Sequence, residues 1–340
     1  MRQIWITKTG PPETLQVREA PDPSPGRDEV RIRVKASGIN FADIMARLGL
    51  YPDAPKLPAV VGYEVCGVVD AAGEGVSRFK AGDDVLALCR FGGYTDLIVL
   101  PEAQLFLLPQ GLSHAQGAAI PVNYLTAYQM LFVMGAIKAG ERVLVHSAGG
   151  GVGFAAIDLC AIADAEVIGA ASAAKHAALQ ARGVRHCIDP RTQDFEAEVK
   201  RITRGKGVEI ILDAVGGKSW AKGLRCLRKT GRLVVFGFSS AATGKKPNPL
   251  SALRNLLRVP WLKVNPMSLM SENKAVLGVN VGHLWDEPEM VRGWMEQIVD
   301  WCAQGKIRPT VDREFTFDEA PLAHHHIQDR KNIGKVVLVP

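Results

Sequence analysis

The stretch Arg142-Val-Leu-Val-His-Ser-Ala-Gly-Gly-Gly-Val-Gly-Phe-Ala-Ala-Ile-Asp-Leu-Cys160 reads as a β-strand that ends in glycines and opens directly into an amphipathic helix. The chemistry of a pyrophosphate explains that order. Backbone must come close to the anion, and a helix N-terminus offers unpaired N–H groups and a positive dipole end. Ala148, Gly150 and Gly153 take the three slots of a Gly-x-Gly-x-x-Gly pattern, with Ala in the first and Gly151 and Val152 inside the last interval. In a strand–turn–helix context this predicts a dinucleotide site.

The end of the next strand indicates which dinucleotide. NAD sites place Asp or Glu there for the ribose hydroxyls. Here the chain reads Gly169-Ala-Ala-Ser-Ala-Ala-Lys-His176, with no acid. Ser172 and Lys175 suit a 2′-phosphate that a carboxylate would repel, and Arg191 after the third strand adds a second cation. The expected cofactor is NADPH.

Outward from this turn, strands are expected at 142–147, 166–171, 185–188, 208–213, 231–237 and 275–281, with helices between the first five. Such alternation implies a doubly wound parallel sheet. A helix is expected over 122–134. The first hundred residues look different. Glu29-Val-Arg-Ile-Arg-Val-Lys35 alternates as a half-buried strand does, and further strands at 64–70, 84–89 and 94–100 are separated by turns such as Lys80-Ala-Gly-Asp-Asp84. This predicts a small antiparallel, barrel-like unit. After 285 come a helix (288–304), a strand (311–316), a helix over His324-His-His326 and a last strand (334–339).

Composition narrows the function classes. The net charge is +6, but Lys and Arg are interleaved with acids, which argues against a nucleic-acid surface. Six cysteines occur without a Cys-x-x-Cys pair, several in apolar runs, which predicts reduced thiols in a cytoplasmic protein. Residues 118–137 are apolar enough to raise a membrane span, but Pro121, Asn123 and Gln129 favour a buried helix.

These motifs in this order resemble the medium-chain dehydrogenase/reductase superfamily, and within it the zinc-independent quinone oxidoreductase branch. Ser37-Gly-Ile-Asn-Phe-Ala-Asp-Ile-Met-Ala-Arg-Leu-Gly-Leu-Tyr51, Ala173-Ala-Lys-His176, Ser271-Glu-Asn-Lys-Ala-Val-Leu-Gly278 and Lys331-Asn-Ile-Gly-Lys-Val-Val-Leu-Val339 are similar to the VAT-1 group. The resemblance implies a Rossmann domain over 123–284 and a GroES-like catalytic domain built from 1–122 and 285–340. It implies a homodimer in which the sixth Rossmann strand pairs with its copy. It also implies roles. Asn40 and Asp43 would lie near nicotinamide and substrate, and Tyr51 and Tyr63 would be the candidate phenols for hydrogen bonding or proton donation. Thr126 would approach the nicotinamide, Phe236 and Ser239 would line the cofactor groove, and Asn332 would close it. The resemblance departs at Pro190, where relatives often carry Tyr.

Zinc-dependent relatives have Cys at the position of Asn40 and His at that of Tyr63, and neither residue here is an ordinary zinc ligand. No metal is therefore expected, and Glu64 and Cys66 are left as a lone carboxylate and a core thiol. Three consecutive histidines on a helix point about 100° apart and do not converge on one ion. Without a Lewis acid, an electron-poor acceptor is the accessible chemistry. The expected reaction is hydride transfer from NADPH to a quinone or activated enone or enal. Two alternatives stay open. One is a peripheral, lipid-associated protein using the basic and apolar residues of 245–263, a segment that equally suits a lid or a dimer contact. The other is an enoyl-thioester reductase.

Overall fold

The structure, a computed structural model, describes residues 1–239 and 262–340. The chain divides into two compact units, Met1–Leu125 with Gly282–Pro340, and Thr126–Val281. Most of the segment weighed as lid, dimer or lipid contact lies outside the described residues.

The central unit is built on a six-stranded parallel sheet. Its spatial order is His186–Ile188, Glu166–Ala170, Arg142–His146, Val208–Asp213, Leu227–Val235, Ala275–Gly278. In chain order this is 3-2-1-4-5-6, so the winding reverses between the first and fourth strands. Ligands of doubly wound sheets bind at such a switch point. The strands are nearly continuous apolar runs because both faces are covered, and Leu144, Ile168, Ile211 and Leu233 are fully buried.

Three local features differ from expectation. The fifth strand starts at Leu227, ahead of the polar Arg228-Lys-Thr run, and its pairing shifts register between Val208 and Ile210. The helix after Pro121 is α-helical only to Tyr128 and widens to a π-turn over Gln129–Met134. Gly135 closes that turn by donating its N–H to Met130 O at 2.9 Å, where a Cβ would stand 2.5 Å from the same oxygen. The helix Gly151–Ile162 is not amphipathic. Phe154 through Cys160 are all buried, so it is a core helix behind the glycine turn.

The flanking unit holds two sheets. Seven strands run in the order Val311–Thr316, Lys335–Val339, Glu29–Gly38, Glu64–Ala72, Asp84–Leu88, Leu105–Leu107, with Leu97–Pro101 also paired to Glu29–Gly38. All pairs are antiparallel except the first. The alternation seen in sequence is real: Val30, Ile32 and Val34 are buried on one face. A smaller sheet of Leu15–Glu19, Arg2–Ile6 and Ala59–Val60 was not anticipated. Val337 pairs with Gly38 and Leu338 with Ser37, so the chain's two ends complete one sheet.

Candidate active site

In the central unit the glycine turn takes the shape a phosphate site needs. Ser147 has φ +55°, which swings the chain off the first strand, and Gly150 caps the helix that starts at Gly151. The three pattern positions have separate physical reasons. Ala148 is fully buried. At Gly150 an added Cβ would meet nothing closer than Ser147 O at 3.4 Å, so its glycine is not required by the protein's own packing. At Gly153 a Cβ would be 2.4 Å from Ala148 O, so that glycine lets helix and turn touch. Lys175 is buried against this turn. A Cβ on Gly149 would fall 2.5 Å from Lys175 Cδ.

Ser172 precedes a short 3-10 turn, and its hydroxyl does not cap it. The loops carrying Ser172 and Arg191 are tied together by Asp189, which sequence reasoning missed. Its carboxylate accepts from Ala173 N at 3.0 Å and Arg191 N at 2.9 Å, and these bonds hold its pKa below the ordinary carboxylate value. The available signal was Asp189-Pro190 at a strand end, a turn initiator. Arg191 itself is exposed. Phe236 N donates to Asp213 O at 3.2 Å and Ser239 N to Ala214 O at 2.9 Å, which fixes their loop at the carboxyl ends of the fourth and fifth strands. Thr126 opens this unit.

The remaining predicted residues belong to the flanking unit. Asn332 donates from Nδ2 to Gly334 O at 2.9 Å and so shapes the turn before the last strand. Asn40 caps the helix Phe41–Arg47, and Asp43 closes the capping box by accepting Asn40 N at 2.7 Å. Asp43 also accepts Gly62 N at 3.0 Å. The Tyr94 hydroxyl stands beside it and helps to hold its pKa down. Arg47 Nε donates to His324 Nδ1 at 3.3 Å, so the neutral ring carries its proton on Nε2 and donates to Tyr94 Oη at 3.2 Å. Tyr94 is then free to donate to Asp43. Asp43 is nonetheless fully buried, and desolvation outweighs its hydrogen bonds and the Lys335 charge, raising its pKa to about 7.

Glu64 is not a lone carboxylate. Lys335 Nζ donates to Glu64 Oε1 and, at 2.6 Å, to Asn40 Oδ1; Asn40 Nδ2 donates to Glu64 Oε1 at 2.9 Å; Glu64 Oε2 accepts Val122 N at 2.8 Å. Glu64 is 0% exposed and Lys335 3%. Gly38 makes the room, since a Cβ there would lie 2.5 Å from Glu64 Oε1 and 2.7 Å from Lys335 Cε. Lys335 was missed because one lysine opening an apolar strand resembles a solvated one. Cys66 is a core thiol, buried against Gly117, and burial pushes its pKa up.

Tyr51 and Tyr63 come together in a cavity of about 260 Å³, with Phe91 and Trp285 among its other walls. The Tyr51 and Tyr63 rings meet edge to face at 6.4 Å, and Phe91 leans on Tyr63 at 5.1 Å. Tyr63 Oη is buried and has no hydrogen-bond partner among the described residues. Burial, then the charge of Asp43, raises its pKa above that of a free phenol, so it keeps its proton.

Two family models match: the alcohol dehydrogenase GroES-like domain over residues 26–110, and the zinc-binding dehydrogenase model over 182–338. The human synaptic vesicle membrane protein VAT-1 homolog is 43% identical over 329 residues, which cover 96% of this chain and 82% of that protein. The chain belongs to the medium-chain dehydrogenase/reductase superfamily, in its VAT-1-like group. It is thus an oxidoreductase-family chain with the Rossmann and GroES-like parts of that superfamily. The Escherichia coli quinone oxidoreductase complexed with NADPH superposes with a TM-score of 0.87 at 30% identity, covering 100% of both chains. CurK enoyl reductase gives 0.86 at 27% identity, covering 99% of this chain and 98% of that one.

The zinc in one model's description finds no fitting donor set among the described residues. No group of three His, Cys, Asp or Glu is arranged to hold a metal ion. The carboxylate beside Asn40 already neutralises an ammonium. Nor is any described helix long and apolar enough to cross a membrane.

Proposed function

We propose that this medium-chain reductase uses NADPH, without zinc, to reduce a quinone or an activated enone or enal. The observation that carries the reading is the buried Tyr63 hydroxyl, unpartnered in an aromatic cavity, because a carbonyl oxygen is the partner it lacks. When bound, the cofactor supplies a hydride from its nicotinamide.

The chain's own residues do the rest. The uncapped N-terminus at Gly151, Val152 and Gly153 attracts the pyrophosphate, and Gly150 lets the backbone approach it. Ser172, Lys175 and Arg191 hold the 2′-phosphate, with Asp189 fixing their loops. Thr126, Phe236, Ser239 and Asn332 complete the cofactor groove. Tyr63 retains its proton and polarises the acceptor carbonyl by hydrogen bonding, Tyr51 orients it, and water protonates the anion that hydride transfer leaves. Lys335 and Glu64 hold the Asn40 carboxamide in one orientation, and Asp43 holds its backbone. The protein acts as a homodimer through the edge strand Ala275–Gly278, next to a helix that exposes Met267 and Met270.

The test is NADPH oxidation by chelator-treated protein with a panel of quinones and enones, and NADH as control. Turnover that survives chelation and prefers NADPH supports the reading. Folded protein that binds NADPH but reduces none of the panel sinks it.

A further inference from the structure

The cavity holding Tyr63 has features that the reduction reading does not use. At about 260 Å³ it is smaller than the roughly 300–1,000 Å³ of pockets that bury drug-sized ligands, and it suits a group the size of one or two rings. Its walls are flat and mutually inclined. Tyr51 stands at 86° to Tyr63, Phe91 tilts by 51°, and the half-buried Trp285 adds a fourth surface. Such walls grip a planar π-system by offset and edge contacts and offer a flexible alkyl chain no comparable geometry. Only one hydroxyl among the walls, Tyr63 Oη, is both buried and unpartnered, and it accommodates one carbonyl oxygen.

The outer side is closed differently. Asp53 and His283, 230 positions apart, are joined by a 2.7 Å hydrogen bond between His283 Nε2 and Asp53 Oδ2, and both line the cavity. Their side chains are 37% and 60% exposed, against 8% for Tyr63, which puts the pair at the mouth and the phenol at the floor. A substrate that trails a long arm to solvent must pass or break this pair. A compact ring that stays within the cavity has no need to break it.

We infer that Trp285 and the Asp53–His283 pair are specificity determinants that confine the acceptor to a flat conjugated carbonyl compound of one or two rings and exclude acyl thioesters. The inference rests on the proposed reductase function and deepens it. It separates this chain from the enoyl reductases that share its fold.

The experiment measures binding apart from turnover. Isothermal calorimetry on the whole chain, with and without NADPH, would use 2,3-dimethyl-1,4-naphthoquinone, whose substituted ring avoids thiol adducts. Anthraquinone-2-sulfonate and crotonyl-N-acetylcysteamine complete the probe set. Naphthoquinone should bind at least about tenfold more tightly than the other two. Trp285→Ala should weaken it about tenfold, and Trp285→Phe, which keeps a ring, should restore most of the loss. Asp53→Asn with His283→Gln, two exposed positions whose loss leaves no buried charge, should raise thioester affinity roughly fivefold. Equal binding of thioester and naphthoquinone by the wild type overturns the inference, as does a folded Trp285→Ala with unchanged affinities, or no binding of any probe. Selective naphthoquinone binding without NADPH oxidation would leave the inference standing and defeat the reductase reading. Turnover without selectivity would do the reverse.

Discussion

Lys335 Nζ lies 2.6 Å from Asn40 Oδ1, across 295 positions of sequence, and the same ammonium neutralises the fully buried Glu64. One lysine thereby sets both the charge balance of the flanking unit's core and the orientation of a carboxamide. A buried ion pair is a poor source of net stability, because desolvation consumes most of the Coulombic gain. Its worth here is in fixing Asn40.

Removing one partner exposes that cost. Lys335→Met should destabilise the protein by about 3–5 kcal/mol, since Glu64 is left charged and dry. Adding Glu64→Gln should recover most of this. Urea unfolding of the three proteins checks it, and a double variant no better than the single would contradict the account.

Asp43 should impose a pH dependence on stability. Its pKa rises from 3.8 to about 7 on folding. The folded state therefore binds the proton more tightly, so this group's contribution is fully present below pH 3.8 and is lost as pH rises through 7. The difference between the limits is on the order of 4 kcal/mol. Asp43→Asn should flatten the stability profile between pH 4 and 7, as read by denaturation midpoints. An unchanged slope would mean the group does not titrate there.

Gly150 and Gly153 should fail in different ways. Gly153→Ala forces a Cβ to 2.4 Å from Ala148 O and should cost about 1–3 kcal/mol of stability. Gly150→Ala has room in the free protein and should melt like the wild type, yet lose NADPH affinity by about tenfold or more. Melting curves and fluorescence titrations separate the two.

Cofactor preference should reside at Ser172 and Lys175. Lys175→Met with Ser172→Ala should weaken NADPH binding by about ten- to a hundredfold, the worth of a charge-assisted contact, with little change for NADH. Parallel losses for both dinucleotides would remove these residues from the 2′-phosphate site.

Tyr63→Phe should leave stability unchanged or slightly raised, because it deletes a buried hydroxyl without a partner. Acceptor kcat/KM should fall about ten- to a hundredfold. A stability loss with intact kinetics would make Tyr63 a core residue.

What was legible in the sequence was what is local. The strand, glycine turn and helix around 142–162 sit within twenty residues, and backbone sterics there restrict what the chain can be. Val30, Ile32 and Val34 signal their burial by period alone. The site in the flanking unit was legible only as a set of candidate side chains. Nothing near Glu64 signals a cation 271 positions on, and nothing near Asp43 signals that Tyr94, His324 and Arg47 stand behind it in line. The small sheet was missed because Arg2–Ile6 and Leu15–Glu19 are too short and too mixed in polarity to carry a period. The π-turn depends on Gly135 and on Arg232, whose guanidinium binds Gly135 O from 97 positions away.

The closure of one sheet by both chain ends also fixes an order of events during synthesis. Thr126–Val281 is synthesised in full before Gly282, so the central unit can finish while the flanking unit waits for its last segment. Glu64 is translated 271 residues before Lys335, roughly 15–50 s at ordinary elongation rates. Through that interval the nascent chain carries a carboxylate with no counter-charge and a sheet without its penultimate strand. The flanking unit is therefore committed post-translationally, and it is the half of the protein that a ribosome-bound chaperone would meet unfinished.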